Sequence, residues 1–297
     1  MFAENTIKLG IAPINWTNDD LPELGGHIPF EQCIAEMAQA GFGGTEVGNK
    51  YPKDPAVLKP ALDQHGLQVA SAWFSTFFSE SGLTRETVEG FIAHMNFLKA
   101  CGADRVNVCE CGSCVQGGPK HVFDRPAYSD AQWGRVAEGL NVLGRIAREN
   151  GMFMAYHYHM GTMVQTAAET DRLMAMTDPE AVFLLMDSGH AYYAGDDPVA
   201  LTKKYAPRIK HVHLKDIRQD VLDRVHAEKM NFLDSVKAGA FTVPGDGCID
   251  FDPIFAELAR SGYAGWMVVE AEQDPDKANP LEYAQIARKY IREHAGV

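Results

Sequence analysis

The feature that most constrains the fold is a strand-like run followed by a helix-like run, repeated eight times along 297 residues. The strand-like runs are short, apolar and rich in branched residues, as expected for strands buried on both faces of a parallel sheet. The predicted strands are Ile7–Ala12, Gly44–Val47, Gln68–Trp73, Arg105–Cys109, Met152–Tyr156, Val182–Met186, Ile209–Leu214 and Trp266–Val269. The predicted helices are Phe30–Ala40, Ala56–His65, Arg85–Ala100, Ala131–Asn150, Thr166–Met176, Pro198–Tyr205, Pro253–Arg260 and Leu281–His294. This order predicts a (β/α)8 TIM barrel, and we expect residues 1–297 to form one domain.

Composition and motif content argue against several functional classes. The net charge of −13 does not suit a surface that neutralises phosphates, so nucleic acid is not an expected partner. No strand-linked Gly-x-Gly-x-x-Gly or Gly-x-x-x-x-Gly-Lys-Ser/Thr motif supports a dinucleotide or P-loop nucleotide site. No signal segment opens the chain, and no apolar run nears the roughly 20 residues that span a bilayer. We therefore expect a cytoplasmic protein with no membrane partner, and with its cysteines reduced.

Polar side chains collect where the last four predicted strands end. These residues are His157 and His159 on strand 5, Asp187 and His190 after strand 6, His213, Lys215 and Asp216 on strand 7, and Glu270 and Glu272 on strand 8. Alternate residues of a strand share a face, so paired positions such as His157 and His159 point the same way. The carboxyl ends of barrel strands carry the active site in this architecture. A mixed nitrogen and oxygen set favours Mn²⁺, Co²⁺, Fe²⁺ or Zn²⁺ over Ca²⁺.

This pattern resembles the xylose-isomerase-like barrel superfamily of sugar isomerases, epimerases and lyases. There, strands 5 to 8 supply Glu, Asp, His and Glu to a metal, and Asp187, His213 and Glu270 match the last three positions. The run from Gly245 to Phe251 resembles the superfamily's Gly-x-Gly-x-Ile-Asp-Phe loop between strands 7 and 8. His157 stands where the superfamily has glutamate. The resemblance thus implies His157 as the fourth ligand, with His159 or a water as alternatives.

Longer runs resemble the inosose dehydratase family within that superfamily. They are Gly10–Pro22, Gly44–Pro52 and His157–Thr162. The resemblance implies dehydration of a small cyclitol ketone, scyllo-inosose (2-keto-myo-inositol), to a trihydroxycyclohexane-dione in inositol catabolism. It also implies dependence on Mn²⁺ or Co²⁺ and an associated glutathione. The sequence does not determine whether the chain forms a homo-oligomer.

Dehydrating a hydroxyketone requires a base that removes the proton beside the carbonyl and an acid that helps the neighbouring hydroxyl leave. The candidates, which the sequence does not rank, are His190, Lys215, His159, Glu272 and Glu46. For two of them, a purely structural role is the alternative to a role in proton transfer. His190 would instead hold a ligand carboxylate, and Lys215 would form an ion pair with Asp216 or Glu272.

Residues near other strand ends have less specific interpretations. Trp16, Trp73 and Phe74 either shape a polyol pocket or pack in the core, and Asn107 and Glu110 are candidates to face the substrate. The Cys-x-x-Cys of Cys111 and Cys114 lacks the second pair that a structural zinc site needs, so ordinary thiols are expected.

Three other functions are alternatives to the dehydratase. A sugar isomerase or epimerase would use the same metal set and scaffold. An apurinic endonuclease shares the superfamily, but the −13 charge opposes a DNA-binding groove. A non-enzymatic sugar-binding barrel would not depend on the metal ligands.

Overall fold

The computed structural model describes residues 2–297 and contains eleven strands and eleven α-helices. The strands are β1 (Ile7–Ile11), β2 (Gly44–Glu46), β3 (Gln68–Ser71), β4 (Trp73–Thr76), β5 (Arg105–Glu110), β6 (Phe153–His157), β7 (Val182–Asp187), β8 (Ile209–Leu214), β9 (Asp216–Ile217), β10 (Phe241–Thr242) and β11 (Gly265–Val269). The helices are α1 (Phe30–Gln39), α2 (Pro55–Asp63), α3 (Thr84–Ala100), α4 (Asp130–Glu149), α5 (Ala167–Met176), α6 (Ser188–Tyr193), α7 (Pro198–Tyr205), α8 (Gln219–Glu228), α9 (Phe232–Ala238), α10 (Asp252–Arg260) and α11 (Pro280–Ala295). Short 3₁₀ turns lie at Pro13–Asn15, Val122–Asp124 and Ala206–Arg208.

Nine of the strands form one parallel sheet in the order β3-β2-β1-β11-β8-β7-β6-β5-β4. The two outermost members, β3 and β4, are consecutive in the chain and separated only by Ala72. The carbonyl of Ala72 accepts a hydrogen bond of 3.1 Å from the Asn107 backbone on β5. Because β3 pairs with β2 and β4 pairs with β5, the two segments act as one broken strand that closes the barrel. The predicted TIM barrel of eight strand positions is confirmed.

Strands β5 to β8 and β11 are largely buried because side chains inside the barrel and helices outside it cover both of their faces. On β7, for example, Val182, Leu184 and Met186 are fully buried, and so are Val106 and Val108 on β5. This explains why a strand such as β7 is a continuous apolar run in the sequence. It also means that polar residues at the strand ends stand out against an apolar background.

Two features of the fold were not predicted. Helix α6 begins immediately after β7, because the Asp187 carboxylate caps it by accepting a hydrogen bond of 2.8 Å from the His190 backbone. Residues 216–242 form an insertion between β8 and α10, in which β9 and β10 pair as an antiparallel ribbon around α8 and α9. Among residues 2–297, no helix is both long and apolar enough to cross a membrane.

Candidate active site

The predicted metal ligands meet at the carboxyl end of the barrel. His157 ends β6, Asp187 ends β7, His213 lies near the end of β8, and Glu270 follows β11. His157 Nε2 lies 3.3 Å from Asp187 Oδ2, which in turn lies 3.4 Å from His213 Nδ1. His213 Nδ1 is 2.7 Å from Glu270 Oε2. Four neighbouring strands thus place two imidazoles and two carboxylates along an arc in which each group lies within 3.4 Å of the next.

The orientation of these groups fits a divalent metal ion. His213 Nδ1 is buried and close to two carboxylate oxygens, yet it has no hydrogen-bond partner among the described residues. A buried nitrogen without a partner beside two carboxylate oxygens is a candidate metal donor, and His157 Nε2 contacts one of the same oxygens, Asp187 Oδ2, at 3.3 Å. His157 offers nitrogen at the position where the superfamily has a glutamate oxygen. A set of two nitrogens and two carboxylates suits Mn²⁺, Co²⁺, Fe²⁺ or Zn²⁺.

Glu46, at the end of β2, fixes the His213 ring from behind. Its Oε1 accepts from His211 Nε2 at 2.7 Å, from Asn107 Nδ2 at 2.8 Å and from His213 Nε2 at 3.1 Å. When His213 Nε2 carries the proton given to Glu46, the lone pair of Nδ1 is turned toward Asp187 and Glu270. A carboxylate in this place orients a ligand imidazole and raises its basicity.

Burial and charge shift the pKa values of these groups strongly. Burial would raise the pKa of Glu46, but the neighbouring His213 and His211 hold it well below its usual range. Glu270 is also buried, and His213 and Lys215 outweigh that burial and lower its pKa to about 2. Burial lowers the pKa of His157 to about 4, which leaves its ring neutral and able to donate a lone pair.

Lys215 and His190 lie behind the predicted metal ligands. Lys215 Nζ is 2.6 Å from Glu270 Oε1 and 2.9 Å from Glu272 Oε2, and 3.0 Å from His190 Nε2. Lys215 and His190 are both fully buried, and neither contributes to the wall of the cavity. The alternative partner Asp216 instead accepts backbone hydrogen bonds from Ile217 and Ile249.

A cavity of about 530 Å³ opens over this cluster. Three of the five acid–base candidates line it, namely His159, Glu272 and Glu46. His159 Nε2 lies 3.6 Å from Glu272 Oε1, beside the predicted ligands. Loop residues that were not individual candidates complete its polar wall, including Asp19, Asp20, Asn49 and Gln116. Their position in loops that leave the carboxyl ends of strands signals them in the sequence. The first three also lie in the runs Gly10–Pro22 and Gly44–Pro52, which resemble the inosose dehydratases.

The aromatic candidates near strand ends differ in whether they line the cavity. Trp73 lines the cavity, with its ring centroid 5.4 Å from those of both His157 and His159. Trp16 is fully buried and donates to Glu36, so it belongs to the core. Phe74 packs edge-on against Phe91 and is absent from the cavity wall.

Asn107 reaches the cavity, but Glu110 does not. The Glu110 carboxylate is buried and accepts from the Phe78 and Ser79 backbones at 3.0 and 3.1 Å, so it anchors a turn. The expectation that Glu110 faces the substrate is wrong. Cys111 and Cys114 line the cavity as free thiols.

The fold and the site define the class of protein. Residues 34–294 match the sequence profile of the xylose isomerase-like TIM barrels, and the chain belongs to that family. The chain is also 56% identical over 299 residues to inosose dehydratase from Bacillus cereus, with all of both chains covered. It is 56% identical to inosose dehydratase from Klebsiella pneumoniae, with 99% of each chain covered. Within the barrel family, the chain is a member of the inosose dehydratases, and it is a hydro-lyase.

Solved structures with low sequence identity share the fold. The IOLI protein, whose crystal structure holds a zinc atom, superposes with a TM-score of 0.73 at 16% identity over 97% of this chain and 98% of that one. A probable 3-DHS dehydratase from Bacillus anthracis gives a TM-score of 0.71 at 16% identity, covering 96% of this chain and 98% of that chain. These similarities support the barrel architecture alone.

Proposed function

We propose that this enzyme dehydrates scyllo-inosose to a trihydroxycyclohexane-dione, with Mn²⁺ or Co²⁺ as its metal. One observation carries the proposal. The His159–Glu272 pair lines the same cavity as the predicted ligands His157, His213 and Glu270, but it is not part of the predicted metal set. An elimination needs this combination of an electrophilic centre and a separate proton-transfer pair. The substrate is assigned from the full-length similarity to inosose dehydratases.

In this proposal His157, Asp187, His213 and Glu270 would hold the metal ion. A divalent cation held there would supply Lewis acidity to the ketone group of the substrate. The protein's own contribution is to fix the donors. Glu46 does so for His213, and Lys215 does so for Glu270.

Proton transfer is assigned to His159 and Glu272. Glu272 Oε1 accepts the proton from the carbon beside the ketone, and protonated His159 gives its proton to the hydroxyl that leaves as water. The proton on Glu272 then returns to His159 across their 3.6 Å separation, which restores both groups. One proton is taken and one is given, so the reaction balances as loss of water.

Lys215 and His190 are positioning residues in this proposal. Lys215 Nζ donates to Glu272 Oε2, which leaves Oε1 to face His159 and the substrate. The His190 ring lies 3.9 Å from the His159 ring, centroid to centroid, and limits its rotation. Both are candidates from the sequence that act through the groups lining the cavity.

The direct test incubates the purified protein and Mn²⁺ with scyllo-inosose and follows the absorbance of the dione. Dione formation that EDTA abolishes and Mn²⁺ or Co²⁺ restores supports the proposal. Ketose–aldose interconversion or epimerisation without dione would replace it with an isomerase. Turnover that survives complete chelation would remove the metal from the mechanism.

Two variants test the proton-transfer pair. Glu272→Gln and His159→Gln each replace a proton-transfer group with an amide of similar size that cannot take over the proton transfer. The value of kcat should therefore fall by about 10²–10⁴-fold. Glu138→Gln on α4 and His65→Gln in the turn after α2 are matched controls at exposed positions. Metal content of the active-site variants should stay at one ion per chain. A variant that keeps its metal and full kcat would refute the assigned role.

Three further proposals follow from the family resemblance and the sequence. Glutathione dependence would appear as lost activity after exhaustive removal of thiols and recovery with glutathione alone. A cytoplasmic location would be seen by fractionating cells. A single domain over residues 1–297 would unfold in one cooperative transition.

A further inference from the structure

A second cavity, of about 470 Å³, shares no lining residue with the cavity of the active site. Its walls come from the insertion after β8 and from the segment after β11. In TIM barrels, loops after the seventh and eighth barrel strands are a frequent place for phosphate groups. This chain has a net charge of −13, yet four basic side chains line the cavity: Arg218, Arg224, Lys237 and Lys277.

Three of these cations already have carboxylate partners. Arg218 pairs with Asp246 at 2.7 Å, Lys237 with Glu23 at 2.9 Å, and Lys277 with Asp274 at 3.1 Å. The Arg218 guanidinium is further fixed by the carbonyls of Gly239 and Phe241. These contacts hold the Arg218 guanidinium in one position on the cavity wall.

The fourth cation is free. Within residues 2–297 the Arg224 guanidinium forms no hydrogen bond or ion pair, although it lines the cavity. A guanidinium presents several N–H donors in a planar fork that matches phosphate oxygens. The lysines keep donor capacity as well, since an ammonium group has three N–H bonds.

A buried amide adds a second, independent sign of a ligand. Gln273 lines the cavity and is 1% exposed, and neither its side-chain nitrogen nor its oxygen has a partner in the described part of the chain. Leaving a buried amide unpaired is costly, so such groups normally have a partner. Gln273 also follows Glu272, the proposed proton acceptor, directly in the chain.

We propose that this cavity binds a small dianion of the phosphate class, through the Arg224 guanidinium and the amide of Gln273. The site is separate from the one that performs the dehydration. It does not depend on which substrate the enzyme dehydrates.

The probe is inorganic phosphate, titrated calorimetrically into the metal-loaded enzyme at constant ionic strength and without substrate. We expect one saturable site in the wild type and at least about tenfold weaker binding in Arg224→Gln, because a hydrogen bond to a charged group is lost. Arg145→Gln is the matched control, since Arg145 is an exposed helical arginine on α4. It should bind phosphate as the wild type does.

Lys277→Gln should also weaken phosphate binding. Weaker binding in two separate variants distinguishes a site formed by several side chains from a local effect of Arg224. The proposal is overturned if the wild type shows no saturable heat up to about 10 mM phosphate, a level that would catch even weak millimolar binding. It is equally overturned if Arg224→Gln binds like the wild type, because phosphate would then lie elsewhere, as on the metal. Turnover of Arg224→Gln without phosphate should equal that of the wild type, so failure here leaves the dehydratase proposal untouched.

Discussion

Replacing Lys215 with Met tests how the buried charges of the site are balanced. Lys215 Nζ lies 2.6 Å from Glu270 Oε1, 2.9 Å from Glu272 Oε2 and 3.9 Å from Asp187 Oδ2. The side chain is fully buried, so water screens these attractions only weakly. Met has a similar length and no charge, which keeps the packing change small.

The expected loss of stability follows from this geometry. Removing one partner of a buried ion pair typically costs about 3–5 kcal/mol, because the remaining charge stays buried without compensation. We therefore expect the free energy of unfolding of the metal-free Lys215→Met protein to fall by about 3–5 kcal/mol. Urea unfolding followed by circular dichroism measures it.

An exposed ion pair on α2 supplies the control. Lys59 Nζ lies 2.7 Å from Asp63, but both side chains are about half exposed. Lys59→Met should therefore cost less than about 1 kcal/mol. If Lys215→Met and Lys59→Met lower the unfolding free energy equally, Lys215 does not balance the carboxylates and the electrostatic account of the site is wrong.

Three shorter predictions test other parts of the account. Mn²⁺ at a hundred times its dissociation constant should stabilise the wild type by about 2.7 kcal/mol in thermal unfolding. Asp187→Asn, which can still cap α6, should lose that gain. Gln116→Leu removes the 2.7 Å hydrogen bond to Asp20 that joins two loops of the cavity wall, and steady-state kinetics should show KM raised about fivefold with kcat nearly unchanged. Gly44→Ala should cost about 1–3 kcal/mol in urea unfolding because of overpacking, since its Cβ would lie 2.2 Å from Trp266; an unchanged midpoint would contradict the packing there.

Much of the barrel can be predicted from the sequence because its strands are buried on both faces. Val182–Met186 is a continuous apolar run, and the structure extends that strand by a single residue to Asp187. Helix α6 escapes prediction because it has only six residues and is capped by the same Asp187 that ends the strand. The ribbon in the insertion at residues 216–242 escapes it because β9 and β10 are two-residue strands. Such short elements have no periodicity to detect.

The site, like the fold, could be predicted from the sequence only in part. Alternation within a strand puts His211 and His213 on one face, but it does not show that both contact Glu46 from β2. These contacts join residues 165 and 167 positions apart in the chain and depend on barrel closure. For the same reason, the sequence could not separate His159 and Glu272, which reach the cavity, from His190 and Lys215, which lie behind it.

The central claim is that His157, Asp187, His213 and Glu270 hold the catalytic metal. Anomalous diffraction from crystals grown with Mn²⁺ tests it most directly. We predict one strong peak within bonding distance of His157 Nε2, Asp187 Oδ2, His213 Nδ1 and Glu270 Oε2. A peak between His159, His190 and Glu272, or at Glu46 and His211, would contradict the assignment, as would the absence of any peak in an active crystal.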